Sequence, residues 1–202
     1  MKRKSADFRY LLSSFLLLLP VMLVLPFFSV DTYSIIRNTT SHLGAQSTPN
    51  AWIMNAAFVL VGLSSILEGW LHLRKMWFHR ILLSIFGFGL IMVAVFRHAP
   101  IVEGIEFDAF EDKLHSIFAS LVGFMFTVLA ISTAFIEKAL KHRITDIAVG
   151  LAATLLSVLM QLLPAFAGLW QRAIFIMSFT WLIFRLERMR AFKMDTEKKR
   201  GD

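Results

Sequence analysis

Residues 10–28 read YLLSSFLLLLPVMLVLPFF, an apolar run of about 19 residues without a charged side chain. A transmembrane helix needs about 20 predominantly apolar residues to cross the hydrocarbon core. The run follows a basic segment, as in a signal peptide. It is nevertheless longer than a signal-peptide core and does not end in small residues of the A-x-A kind. We therefore predict a retained membrane-spanning helix, with Pro20 and Pro26 as tolerated kinks.

Five more apolar runs follow, and together they predict an all-α, integral membrane six-helix bundle. The runs cover about Ala51–Leu71, Ile81–Phe96, Leu114–Ile136, Ile144–Leu163 and Gly168–Phe184. Of the 202 residues only 17% are charged, fewer than the quarter or so that is typical of soluble domains. We predict a basic tail at 1–9, a single six-span domain at 10–184 and a second basic tail at 185–202. No separate soluble domain fits, and a chain without cysteine has no disulfides, thiolate metal sites or cysteine nucleophiles.

The basic residues predict that both termini are cytoplasmic and that this is a multi-pass protein of the cell membrane. In that orientation 17 of the 21 Lys and Arg residues lie inside, whereas six acidic residues lie outside. The four outer basic residues are Arg37, Arg97, Lys113 and Arg172. Attraction to anionic lipids explains the basic C-terminal tail, so membrane lipids are the expected partners and nucleic acid is not.

Polar residues that hydrocarbon would penalise gather on the predicted outer side, on three separate segments. The first outer loop and the second span contribute Ser41, His42, Gly44 and Asn55. The second outer loop and the start of the fourth span contribute His98, Glu111, Asp112, His115 and Ser116. On a helix, residues four apart share a face, which pairs Glu111 with His115 and Asp112 with Ser116. We expect an outer polar pocket for a lipid headgroup or another small polar ligand. His98, Asp112 and His115 would contact the ligand, and Ser41, Gly44 and Asn55 would shape the opposite wall.

Two enzymatic alternatives arise from the same residues. Neutral imidazoles with a carboxylate suit zinc, so His98, His115, Asp112 and Glu111 are candidate metal ligands. Zinc-bound water would then attack a lipid ester or amide. A metal-free hydrolase would use Ser41 or Ser47 with Asp112 and His115 as catalytic residues, although no G-x-S-x-G elbow supports it. Haem ligated by His98 or His115 is a further alternative.

The remaining alternatives are not enzymatic. A transporter or lipid-translocating protein needs a polar path through the bilayer, and the spans offer for it only Asn55, Glu68, Gln161 and small hydroxyl residues. We expect Glu68 instead to reach the interface or to pair with Arg74 or Arg80. A binding or assembly subunit would associate with another membrane protein or form a homo-oligomer.

Residues 41–63, SHLGAQSTPNAWIMNAAFVLVGL, resemble a prokaryotic multi-pass membrane family catalogued as domain of unknown function 998. In that family a Ser-x-Leu-Gly segment precedes an Asn in the second helix, which a Gly follows. The resemblance implies that Ser41, Leu43, Gly44, Asn55 and Gly62 are the signature positions, and that His115 with Ser116 is the family's His near the start of span four. It extends over about residues 10–185 and implies no activity. The outer Ser, Asp and His set is also faintly similar to the membrane hydrolases that include alkaline ceramidases, but the H-x-x-x-H pair is absent from this sequence.

Overall fold

The computed structural model describes the backbone of residues 9–201 and the side chains of residues 9–190. This part of the chain contains seven α-helices and no strand. They are α1 (Tyr10–Val24), α2 (Thr40–Leu43), α3 (Ala51–His72), α4 (Trp77–Val95), α5 (Ala109–Ile136), α6 (Leu140–Leu162) and α7 (Ala167–Gly201). Two short 3₁₀ helices, Leu25–Phe28 and Pro164–Phe166, follow α1 and precede α7. Six helical segments, all except α2, are long and apolar enough to cross a membrane, which confirms the predicted all-α membrane architecture. The predicted N-terminal tail, apart from Arg9, lies outside the described residues.

Three spans begin earlier than their apolar runs indicated, at Trp77, Ala109 and Leu140. The start of α5 shows the reason. The carboxylate of Asp108 accepts the backbone N–H groups of Phe110, at 2.8 Å, and Glu111, at 3.1 Å. Such a cap stabilises the first turn of a helix whether or not its side chains are apolar. The helix therefore extends beyond the segment that hydropathy identifies.

The start of α1 and Glu187 of α7 lie at the same end of the bundle. Arg9, just before α1, forms an ion pair with Glu187, with N and O atoms 3.2 Å apart. We call this end, which also includes the turn between α3 and α4, the arginine end. The opposite end comprises α2, the loops around it and the connection between α4 and α5, and we call it the histidine end.

The last span, α7, contacts all five other spans through its side chains. The ring centroids of Phe179 lie 5.4 Å from Phe15 of α1 and 5.9 Å from Phe86 of α4. Two further ring pairs join Phe175 to Phe58 of α3, at 5.9 Å, and Trp181 to Phe126 of α5, at 5.5 Å. The indole N–H of Trp181 also donates to Asp146 of α6 at 2.9 Å. The aromatic residues of α7 therefore join the five other spans in one core, to which large rings contribute much buried area.

The spans α3 and α4 pack backbone to backbone at two glycines. A Cβ atom built on Gly62 would lie 2.5 Å from the carbonyl oxygen of Gly87. A Cβ atom on Gly87 would likewise lie 2.5 Å from the carbonyl oxygen of Gly62. Small residues at such crossings allow helices in membranes to approach closely.

Glu68 of α3 is 1% exposed and forms a buried ion pair with Arg190 of α7. One terminal nitrogen of Arg190 lies 2.6 Å from both carboxylate oxygens. The expectation that Glu68 reaches the interface or pairs with Arg74 or Arg80 is wrong. The reason is that α7 continues as a helix to Gly201, through the residues of the predicted C-terminal tail, and carries Arg190 alongside α3.

Candidate functional site at the histidine end

Three histidines from three segments stack in one column at the histidine end. His42 lies in α2, His98 in the connection after α4, and His115 in the second turn of α5. The ring centroids of His42 and His98 are 4.7 Å apart. Those of His98 and His115 are 5.0 Å apart, with only 12° between the ring planes. We call these three residues the histidine column; the sequence indicated each member separately, and the fold brings them together.

The partners of His98 and His115 determine which ring nitrogen carries the proton in each. Nδ1 of His98 forms a short hydrogen bond with a carboxylate oxygen of Asp112. Nδ1 of His115 lies 2.8 Å from the carbonyl oxygen of Phe96 and 3.0 Å from that of Val93. Carboxylates and carbonyls only accept hydrogen bonds, so Nδ1 of His115 is a donor. The backbone N–H of Ala99 lies 2.8 Å from both Nδ1 of His98 and the Asp112 oxygen; with that N–H accepted by Asp112, Nδ1 of His98 also donates to the carboxylate. In the neutral rings, Nε2 of each residue therefore keeps a lone pair.

His42 has the opposite tautomer. The backbone N–H of Thr39 donates to Nδ1 of His42 at 3.1 Å, as part of the cap at the start of α2. The neutral ring therefore carries its proton on Nε2. Burial, together with the neighbouring His98 and His115, lowers the pKa of His42 to about 4, although Asp112 acts in the opposite direction. His42 is thus uncharged near neutral pH and offers a hydrogen-bond donor.

The carboxylate of Asp112 binds the histidine column through His98, whereas the carboxylate of the adjacent Glu111 binds Arg97. A carboxylate oxygen of Asp112 also accepts the backbone N–H of Ala99 at 2.8 Å. Glu111 accepts from the backbone N–H and the Nε–H of Arg97, at 2.8 Å and 2.9 Å. Of the two adjacent acids, one therefore orients His98 and the other neutralises Arg97.

The remaining predicted site residues lie around the column in different roles. Asn55 donates to the carbonyl oxygen of Gly44 at 3.0 Å, and a Cβ atom on Gly44 would meet the Asn55 side-chain oxygen at 2.2 Å. Gly44 and Asn55 thus fix the end of α2 against α3. Ser41 is 6% exposed, and its hydroxyl makes no hydrogen bond with the described residues. Ser116 is exposed, and its carbonyl accepts from Ser120 at 2.9 Å.

Gln46, which sequence reasoning missed, joins the two loops that carry the column. Its side-chain N–H groups donate to the carbonyl oxygens of Arg97, at 3.1 Å, and Asp108, at 3.0 Å. Its side-chain oxygen accepts the N–H of Asp108 at 2.8 Å, and its own N–H donates to the carbonyl of His98 at 2.9 Å. A lone Gln in a polar loop carries no sequence signal for this role.

Arg172 of α7, predicted only as an outer charge, holds the first loop in place. It is 5% exposed, and its guanidinium donates to four backbone carbonyl oxygens and to the hydroxyl of Tyr33. The carbonyls belong to Met22, Ile35, Asn38 and Gly168. Burial raises the pKa of the Tyr33 hydroxyl, against the opposing effect of Arg172. Because α2 follows this loop directly, Arg172 also positions His42.

The histidine column can both accept and donate hydrogen bonds. His115 at its base is 4% exposed, whereas the side chains of His98 and Asp112 are 28% and 27% exposed. The approachable part of the site is therefore the His98–Asp112 pair. Among the described residues, no group of three or more His, Cys, Asp or Glu side chains is arranged to hold a metal ion.

Comparison with known proteins gives one match. The sequence profile of a family described as "Protein of unknown function (DUF998)" matches residues 14–185. Neither a protein of curated function nor a solved structure matches the chain.

Proposed function

We propose that this chain, which belongs to the DUF998 family of proteins of unknown function, binds a lipid headgroup or another small polar ligand at its histidine end. Its six apolar helices are those of a multi-pass membrane protein. The observation that carries the proposal is the histidine column with Asp112 beside it. Three imidazoles and one carboxylate, brought together from separate segments, are more than packing at a loop requires.

The hydrogen-bonding pattern favours a ligand that donates hydrogen bonds. The Nε2 lone pairs of His98 and His115 accept, and the carboxylate of Asp112 accepts. Basic residues at this end include Arg97 and Arg172, which are engaged by Glu111 and by backbone carbonyls, respectively. A headgroup with an ammonium or hydroxyl group fits this environment better than a bare anion does.

The predicted orientation of the chain favours the outer leaflet as the source of the ligand. Of the 21 basic residues, 17 lie in segments at the arginine end or in the tails that adjoin it. Short loops rich in Lys and Arg stay in the cytoplasm. The histidine end would then face away from the cytosol and meet the headgroups of that leaflet.

A binding titration tests the proposal with the full chain in detergent. We expect short-chain phosphatidylethanolamine to bind more tightly than phosphatidylcholine, because a quaternary ammonium has no N–H to donate. The variant His98→Ala should weaken phosphatidylethanolamine binding by about tenfold, the loss expected for one charge-assisted hydrogen bond. Ser120→Ala, an exposed change in α5 outside the column, is the control and should bind as the wild type does. Equal binding of both lipids, unchanged in His98→Ala, would contradict the proposal.

A metal-dependent lipid hydrolase is the second candidate, because one specific observation favours it. Histidines that bind metals typically donate their other ring N–H to a carboxylate or a backbone carbonyl, as His98 and His115 do. Zinc would bind their Nε2 atoms and supply an activated water. Elemental analysis of the same preparations decides between the candidates. About one zinc per chain, lost in both His98→Ala and His115→Ala, would favour the hydrolase, and a metal-free, folded wild type would remove it.

A further inference from the structure

A cavity of about 490 Å³ lies between α6 and α7 near the arginine end, far from the histidine column. Its polar wall includes Asp146 and Thr180, and Arg185 and Arg188 lie toward the end of α7. Its apolar wall includes Val149 and Ile176. We call this cavity the α6–α7 cleft.

Two buried polar atoms of the cleft make no hydrogen bond with the described residues. Asp146 is 1% exposed, and only one of its carboxylate oxygens is satisfied, by the indole N–H of Trp181 at 2.9 Å. The second oxygen, Oδ2, has no hydrogen bond, and the nearest cation, Arg185, lies 3.7 Å from it. The Nε–H of Arg185 also has no acceptor. Buried polar groups nearly always form hydrogen bonds, so an acceptor and a donor that form none, on two residues that line one cavity, point to a polar occupant.

The charges around the cleft favour an anion. Glu137 is shared between Arg185, with which it forms a short hydrogen bond, and Arg188, at 3.4 Å. The bond to Arg185 lowers the pKa of Glu137 to about 2, so its carboxylate is ionised and already engaged. Nearby on the same end, three exposed basic residues form no ion pair with any described residue; they are Lys138, Lys141 and Arg143. Basic pockets between transmembrane helices on the cytoplasmic side bind anionic lipid headgroups.

The dimensions of the cleft match one lipid leaflet. The 12 steps along the helix from Ile176 to Arg188 span about 18 Å, at a rise of 1.5 Å per residue. Half of a hydrocarbon core about 30 Å thick is about 15 Å. The part of the cleft farther from the arginine end is apolar. It opens onto the outer surface of the bundle, since Ile176 is 45% exposed. A molecule with a charged head and an acyl chain therefore fits this shape.

We propose that the α6–α7 cleft binds an anionic glycerophospholipid with a hydroxylated headgroup, such as phosphatidylglycerol, from the leaflet at the arginine end. The phosphate accepts from Arg188 and from the Nε–H of Arg185. A headgroup hydroxyl donates to Oδ2 of Asp146, and an acyl chain lies along Val149 and Ile176. This site shares no residue with the histidine column, so the two proposals are tested separately.

Native mass spectrometry of the full chain in detergent tests this site, with phosphatidylglycerol or phosphatidylcholine added at equal concentration. We expect the wild type to bind phosphatidylglycerol more tightly, because phosphatidylcholine lacks the hydroxyl donors and the net charge. Arg188→Gln should weaken phosphatidylglycerol binding by about tenfold. Its matched control, Lys75→Gln, removes an exposed charge at the same end outside the cleft and should have little effect.

A second pair of variants tests the cavity itself without changing charge. Thr180→Trp places a large side chain in the cleft and should abolish phosphatidylglycerol binding, whereas Leu155→Trp, on the exposed face of α6, should not. The proposal is overturned if Lys75→Gln and Arg188→Gln weaken binding equally, or if Thr180→Trp binds as the wild type does. Equal binding of the two lipids, or a copurified protein in place of a lipid, would also overturn it.

Discussion

His42 illustrates how one residue couples a helix cap to a cluster of imidazoles. Its Nδ1 accepts the N–H of Thr39, and its ring lies against His98. Both contacts need the neutral ring, since protonation of Nδ1 would remove the acceptor and would add a charge beside two other histidines. The structure therefore favours the neutral ring, and the pKa of His42 is lowered to about 4, mainly by burial.

The lowered pKa of His42 predicts a loss of stability in mild acid. An unfolded chain binds a proton at this residue near pH 6.5, but the folded protein does so only near pH 4. The contribution is therefore complete above about pH 6.5 and decreases as the pH falls toward 4. We expect the unfolding temperature in detergent to be lower at about pH 5 than at about pH 7.

The variant His42→Gln separates titration from capping. Glutamine at this position of a capping box can still accept the backbone N–H at the cap, but it does not titrate. The pH dependence of its unfolding temperature should be smaller than that of the wild type. An identical pH dependence in both proteins would assign the effect to other groups.

For individual residues, the sequence predicted the candidate site residues but not their hydrogen-bond partners. Histidines and acids in the outer segments of an apolar chain are conspicuous, so His42, His98, Asp112 and His115 could all be identified. Gln46 and Arg172 could not, because their roles depend on carbonyl oxygens from distant segments. Backbone acceptors carry no residue-type signal.

At the scale of elements, the packing of α3 on α4 depends on two glycines that face each other. The resemblance to the family implied a signature position at Gly62, and the role of this glycine in the structure is steric. Its Cα lies so close to α4 that an added Cβ would contact the backbone of Gly87 and the side chain of Ile91, at 2.5 Å and 2.9 Å. A backbone atom cannot move aside without moving its helix.

Gly62→Ala should therefore destabilise the protein by about 1–3 kcal/mol, the usual cost of overpacking a tight contact. Gly123→Ala is the matched control in α5, because a Cβ there would meet no atom within 4 Å. That change should be neutral or stabilise the protein by up to about 1 kcal/mol, since alanine is the better helix former. Thermal unfolding of both variants in one detergent gives the comparison. Equal effects of the two changes would refute the steric role of Gly62.

Element boundaries were predicted less well than element identity. Hydropathy located all six spans but placed the start of α5 at Leu114 rather than Ala109. The Asp108 cap could have been recognised, because an Asp three residues before a Glu at the head of an apolar run is a helix-start signal. The continuation of α7 past residue 184 could not have been recognised. A basic segment resembles a tail in the sequence, and only the fold shows that its arginines pair with Glu68 and Glu137.

At the scale of the whole molecule, composition was sufficient to predict a six-span helical protein. It could not indicate that α7 contacts every other span, because that role depends on which aromatic rings meet. Phe175, Phe179 and Trp181 are ordinary apolar residues in the sequence. Only their contacts identify α7 as the helix that joins the other spans, and its buried arginines, Arg172 and Arg190, make further contacts with them.

The proposed function depends on the orientation of the bundle, since a site for outer-leaflet headgroups must face away from the cytosol. The chain has no cysteine, so single cysteines can be introduced without removing others. Glu103 is exposed at the histidine end, and Lys75 is exposed in the turn between α3 and α4 at the arginine end. These two positions report on the two faces of the membrane.

Labelling with a membrane-impermeant maleimide in intact cells therefore tests the account most directly. We predict that Glu103→Cys is labelled at once and that Lys75→Cys is labelled only after the membrane is permeabilised. Labelling of Lys75→Cys from outside, with Glu103→Cys protected until permeabilisation, would place the histidine column in the cytosol and contradict the account.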